Sequence, residues 1–232
     1  MFALTELEVE ALALSLRVSF WSVLVSLPPG IFMAWLLARR DFPGKSILDA
    51  VVHIPLVVPP VAVGYLLLVL LGRRGPVGGW LYDAFGITVI FTWQGAVIAS
   101  AVMAFPLMVR AIRLSFEGLD RRLETAGRTL GASPADVFIT ITLPLISPGI
   151  LTGVVLAFAR SIGEFGATIT FVSNIVGETR TLPLALYTLT QAPGGEAAAA
   201  RLLTISIVLA LAAVIASEFL ARRVARRIGG ER

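Results

Sequence analysis

The chain has 232 residues, 57% of them hydrophobic and 15% charged, with a formal net charge of +4 and a mean hydropathy of +0.89. A water-soluble domain is about 45–50% apolar and about 25% charged, so lipid is the solvent that suits this composition. The absence of cysteine excludes disulfide frameworks, thiolate metal sites and cysteine nucleophiles, and the single histidine, His53, gives no basis for a histidine-rich metal site.

In chain order, Met1–Glu10 carries Glu6, Glu8 and Glu10 and no basic residue, unlike the positive start of a secretory signal. Five stretches then reach the ~20 apolar residues that cross ~30 Å of hydrocarbon as helix. They are Val18–Ala38, Ile47–Leu71, Thr88–Val109, Ile146–Val172 and Leu202–Ala221. No repeat and no long linker divides them, so residues 1–232 read as one all-α, polytopic transmembrane domain. Pro28–Pro29–Gly30 is expected to interrupt the first span, Pro59–Pro60 with Gly64 the second and Pro106 the third. Proline removes a helical hydrogen bond and clashes with the preceding turn, and inside a membrane the freed carbonyls need a protein or water partner. Pro59–Pro60 is therefore a candidate pathway or gate segment, and Pro106 reads as a packing kink.

Basic residues set the orientation. Arg39, Arg40 and Lys45 lie between the first two spans. Arg110, Arg113, Arg121, Arg122 and Arg128 lie between the third and fourth, and Arg222, Arg223, Arg226, Arg227 and Arg232 follow the fifth. The other side receives Arg73, Arg74 and Arg180. The asymmetry places the amino terminus outside and the carboxy terminus in the cytoplasm. It also accounts for the basic composition without nucleic acid, for which no folded basic surface or aromatic platform is evident.

The loop Leu119–Pro144, within a cytoplasmic segment spanning residues 110–145, is predicted to hold two amphipathic helical pieces. Leu119, Leu123, Ala126, Gly127 and Leu130 form one stripe at helical spacing. Gly131 and Ala132 end that piece. Ser133 is the expected N-cap of the next, with Pro134 at its first position and Asp136 closing a capping box. Gly44–Lys45–Ser46 matches the tail of a phosphate-binding loop, but Arg39 stands where the leading glycine belongs, so the chain is not expected to bind ATP itself.

In the fourth span, Arg160 and Glu164 are four residues apart and within reach of each other. An ionised group at that depth costs about 2.5–3.5 kcal/mol or more unless paired or wetted. Two readings stand: a self-neutralising pair that fixes packing, or a cavity-facing pair at a gate where Gly163 and Gly166 permit a bend. Thr168, Thr170, Ser173 and Asn174 follow as possible donors to an anion or as ordinary backbone caps. His53, one turn after Asp49, is expected to be hydrogen-bonded to structure.

The loop resembles the cytoplasmic signature of ATP-binding-cassette importer permeases. Ala126–Gly127 stand at the alanine pair, Gly131 follows after three residues, and Ile141–Thr142–Leu143–Pro144 follows after nine more. Gly127 replaces an alanine, and Glu124 lies one residue before the usual glutamate position, which Thr125 occupies. Across the chain, Asp41–Asp49, Ile54–Leu68, Phe105–Leu114, Phe138–Leu145, Ala159–Ile175 and Gly177–Pro183 are similar to the molybdate permease family.

The resemblance implies a MetI-like, type I importer permease fold with five spans in the bacterial inner membrane. It implies a homodimer, two cytoplasmic ATPase subunits holding ATP and magnesium, and a periplasmic molybdate-binding protein. It makes the loop a coupling helix seated in a groove of the ATPase. Tungstate or sulfate carried by the same machinery, and an ion-gradient-driven secondary transporter, remain as alternatives.

Overall fold

The computed structural model describes residues 4–228, with side chains described through Ala216 and at Phe219. The side chains of Arg222, Arg223, Arg226 and Arg227, and all of Arg232, lie outside the described residues.

Helix α1 runs Glu6–Arg39. Its start is written locally: Thr5 accepts from the Glu8 N–H, and the Glu8 carboxylate accepts the Thr5 N–H at 2.7 Å. The expected interruption at Pro28–Pro29–Gly30 does not occur, and both prolines lie inside one helix. The reason is lateral support. Small residues recur along the buried face of α1, among them Ser15, Ser19, Ser22, Ser26 and Ala34, and let neighbouring helices approach closely. A β-carbon on Gly30 would stand 2.9 Å from the Met108 sulfur, so the helix is clamped just beyond the prolines.

Lys45–Val57 (α2) and Pro60–Leu71 (α3) meet at Val58–Pro59 with a bend of 115°. The second stretch is thus broken at the double proline as expected, though as a sharp elbow rather than a kinked rod. A short helix, α4 (Pro76–Phe85), follows. Helix α5 (Trp93–Glu117) is central, packed by α1 and α8, and keeps Pro106 within an unbroken helix. Thr92 caps it by accepting from the Gly95 N–H at 3.2 Å.

The loop holds α6 (Arg121–Thr129) and α7 (Pro134–Val137). A π-turn, Phe138–Thr142, then joins α7 to α8 (Leu143–Ile162). The second amphipathic piece is therefore the foot of a 29-residue rod, Pro134–Ile162, and not a separate helix. The predicted fourth span, Ile146–Val172, is also corrected. It stops at Ile162 and resumes as α9 (Gly166–Val172), because Gly163–Phe165 leaves helical geometry.

Helix α10 (Leu182–Gln191) is short and buries Leu182 and Leu184. Helix α11 (Glu196–Ile228) packs on α8 and α10. Among the described residues, four helices are long and apolar enough to cross a membrane, and five if the α2–α3 elbow counts as one span. α4 and α10 went unpredicted because ten residues are too few to register as a span.

The core has two main parts. One surrounds Met108, Ile112, Phe116 and Ile146 near the α6–α7 loop. The other joins α3, α5 and α9 through Leu67, Met103, Ala167 and Phe171.

Candidate functional site

Two groups of predicted site residues are assembled in different parts of the bundle. The first is the α6–α7 loop. Asp120 caps α6 by accepting from the Arg122 N–H at 2.9 Å. The helix ends in Gly131 at φ +89°, a left-handed position that glycine occupies without steric cost. The Ala132 N–H then bonds back to the Gly127 carbonyl at 3.2 Å. The predicted capping box forms: Asp136 N–H donates to Ser133 Oγ, and Ser133 N–H to Asp136 Oδ2, each at 3.2 Å.

The predicted apolar stripe divides. Gly127 is buried, and a β-carbon there would lie 2.7 Å from Ile141 Cδ1 and 3.2 Å from Val137 Cγ2. Leu123, Ala126 and Leu130 face outward, Leu130 being 88% exposed. One side of α6 thus interlocks with the rod while the other presents unpartnered apolar surface. Pro134 and Pro144 are also exposed, and Leu143 packs partly against the lower core.

Glu124 turns inward. Its Oε1 lies 3.2 Å from Arg39 Nη2 and accepts the Thr142 hydroxyl at 2.8 Å. One carboxylate oxygen thereby ties α6 to the end of α1 and to the π-turn at the head of α8. Neither Arg39 nor Thr142 was singled out as a partner by sequence reasoning. Arg39 lies 85 residues from Glu124, and nothing local in a single sequence links them. Nearby, Arg113 bonds Asp49 at 2.9 Å and Glu117 at 2.7 Å, holding α2 to α5. His53 Nδ1 lies 2.8 Å from the Asp49 carbonyl, in keeping with a structural role. In the turn between α1 and α2, Lys45 donates to Asp41 at 3.0 Å and holds that exposed carboxyl below its ordinary range.

The second group sits where two helix breaks meet. Arg160 closes α8, and Glu164 lies in the break that follows. Glu164 Oε2 is 2.6 Å from Arg160 Nη1, an ionic contact without hydrogen-bond alignment. Its Oε1 accepts the Ala167 N–H at 2.8 Å and so caps α9. The Glu164 side chain is 1% exposed and that of Arg160 26%, so the cation keeps an open side while the carboxylate has none.

A β-carbon on Gly166 would stand 2.7 Å from Pro60 Cβ, and one on Gly64 only 2.5 Å from the Ala167 carbonyl oxygen. The elbow at Pro59–Pro60 and the break that ends at Gly166 are thus in direct contact, a juxtaposition of segments more than 100 residues apart that no spacing rule predicts. Thr168 is buried in α9. Thr170 donates to the Gly166 carbonyl at 2.9 Å, and Asn174 bonds both Thr188 and Arg180, so these two groups cap structure. Among the described residues no cluster of three or more acidic or histidine side chains is arranged to hold a metal.

Residues 26–228 match a family model described as "Binding-protein-dependent transport system inner membrane component". The chain is 66% identical over 226 residues to the molybdenum transport system permease protein ModB of Escherichia coli strain K12, covering 97% of this chain and 99% of that one. Among the solved structures that share its fold are two transporters. One is a bacterial ABC transporter involved in alginate import, with a TM-score of 0.73 and 20% identity over 95% of this chain and 80% of that one. The other is the inward-facing MetNI methionine ABC transporter, with a TM-score of 0.67 and 17% identity over 94% of each chain.

Proposed function

The chain belongs to the family of binding-protein-dependent transport system inner membrane components, and from that premise we propose that it is the channel-forming permease of an ATP-driven importer whose cargo is molybdate. One observation carries the cargo: 66% identity to a molybdenum permease across essentially the full length of both chains. The chain is a multi-pass inner-membrane transport subunit, and ATP hydrolysis belongs to a separate partner.

In this reading the α6–α7 loop faces the cytoplasm, as the distribution of arginines favours. The outward row of Leu123, Ala126 and Leu130 then enters a groove on the ATPase. A short helix capped at both ends transmits displacement where a loose loop would absorb it. The Glu124 node divides that displacement between α1, through Arg39, and α8, through Thr142. The π-turn at the head of α8 is where the push enters the membrane, and π-turns concentrate at functional positions.

Far along the rod, the Arg160–Glu164 pair and the two touching breaks form the mobile segment. Breaks between helices reorient more readily than continuous helices, and backbone freed of helical bonds is at home around a polar route. The half-open face of Arg160 offers a cation to a passing dianion. A bare dianion would otherwise meet a desolvation cost of tens of kcal/mol in hydrocarbon. Two copies of the chain, two ATPase subunits and a periplasmic binding protein complete the machine. With its N-terminus outside, the elbow helices α2 and α3 together count as the second of five spans.

The test is reconstitution of the full-length permease with its ATPase and binding protein in liposomes. Molybdate-dependent ATP turnover with molybdate accumulating inside is the expected result. Equal or better uptake of sulfate under competition would reassign the cargo. Uptake driven by an ion gradient without ATP would remove the importer reading altogether.

A further inference from the structure

A cavity of about 700 Å³ opens between the lower half of α1 and the α6–α7 loop. Its wall along α1 is a single stripe in which Pro28, Ile31, Trp35 and Arg39 follow one another at helical spacing. Over those eleven residue steps, roughly 16 Å at 1.5 Å per residue, the lining changes from apolar to cationic. The apolar end is Ile31, Phe32 and Trp35. The polar end is Arg39, Arg40, Arg121 and Arg128, with Glu124 the one carboxylate.

Glu124 is committed to Arg39 and Thr142. Arg40, Arg121 and Arg128 form no ion pair among the described residues. The Arg39 side chain is 9% exposed, and its Nε has no hydrogen-bond partner. The Arg40 guanidinium stands 5.3 Å from the Trp35 ring, which bridges the two ends of the groove.

We propose that this groove is a binding site for an anionic phospholipid, with the phosphate among the arginines and the upper acyl chain against Ile31, Phe32 and Trp35. Three arginines outside any ion pair favour an anion over a zwitterion, Arg40 and Arg128 most directly, since Arg121 also acts from a distance on the Asp41 carboxylate. The apolar wall selects a lipid over a free oxyanion, which would leave that wall against water. The amphipathic gradient also runs in the direction a lipid of the inner leaflet requires if the arginine-rich end is cytoplasmic. Because the groove shares Glu124, Thr142 and Arg39 with the coupling node, its occupant would stiffen the joint through which the ATPase acts.

The experiment places full-length protein carrying W21F, W80F and W93F, so that Trp35 alone reports, in nanodiscs doped with brominated lipid. Quenching by brominated phosphatidylglycerol is expected at about one-tenth the mole fraction needed for brominated phosphatidylcholine. R40Q with R128Q should abolish that preference, and R40K with R128K should keep it. Native mass spectrometry of the unsubstituted chain supplies the same comparison should the tryptophan variant fold poorly. Millimolar phosphate or molybdate should not displace the lipid. Equal quenching by the two lipids, an unchanged preference in the glutamine variant, or displacement by free oxyanion would each overturn the proposal. So would loss of the preference when the ATPase is bound, since an acidic protein segment would then be the occupant.

Discussion

Glu124 and Glu164 each pair with an arginine and each accept a hydrogen bond from a further group, yet their partners are differently placed. Glu164 binds within its own segment: Arg160 lies four residues before it and Ala167 three after it, and together they fix one break in one helix. Glu124 binds across the chain, joining α6 to α1 and to the head of α8 through partners 85 and 18 residues away. The Glu164 side chain is 1% exposed and that of Glu124 20%, while their arginines run the other way, Arg160 at 26% and Arg39 at 9%, so the buried partner is the carboxylate in one pair and the cation in the other. A local pair fixes the shape of one segment, whereas a long-range pair joins separate segments and, under the proposed function, sets how they move together.

The sharpest way to break that contrast is Glu164→Gln. It should cost roughly 3–5 kcal/mol, toward the lower end because Arg160 is 26% exposed, and abolish transport. Thermal unfolding and uptake read it, and a stable, active variant would show that Glu164 is not holding the break. Next comes Gly64→Ala, whose β-carbon would press on the Ala167 carbonyl. Backbone cannot yield as a side chain does, so about 1–3 kcal/mol of stability and most of the transport should be lost.

Glu124→Gln keeps the size of the side chain and removes the charge facing Arg39. Stability should fall by about 1–2 kcal/mol. ATP turnover should continue while molybdate uptake per ATP falls several-fold. Tight coupling in this variant would confine the node to a structural role. A double-mutant cycle with Arg39→Ala should recover most of the loss as interaction energy, which independent sites would not. Ser133→Ala removes the cap of the rod and should cost about 1 kcal/mol, read as weaker ATPase assembly. The smallest effect belongs to Gly127→Ala. Its new methyl meets the tip of Ile141, which can rotate away, and Val137 Cγ2 at 3.2 Å, which need give only slightly, so the change should stay within about 1 kcal/mol. A larger loss there than at Gly64 would reverse the ranking of the two regions.

Much of the loop was legible residue by residue. The Ser133–Asp136 box and the stop at Gly131 are local features, and short-range chemistry specifies them, whereas the division of the apolar stripe between buried Gly127 and exposed Leu123 and Leu130 was settled by packing. The prolines were a mixed signal. Pro59–Pro60 breaks its helix while Pro28–Pro29 does not, although the two pairs look alike in sequence. The difference lies in the neighbours. α1 is packed against α5 and α8 on both sides of its prolines, whereas the elbow at Pro59–Pro60 closes on another break.

Sequence by itself determined that the chain lives in lipid, where its apolar stretches lie, that its loop is a capped helix, and that Arg160 can reach Glu164. Each follows from composition or from residues within a turn or two of one another. Tertiary structure alone decided that Glu124 meets Arg39, that Pro60 touches Gly166, that the loop's second helix runs unbroken into α8, and that four arginines surround one cavity. Such contacts join residues far apart in the chain. Their formation depends on which helix faces which neighbour, and in lipid that choice is made by close packing and hydrogen bonding between helices rather than by hydropathy, which is the same for every apolar stretch.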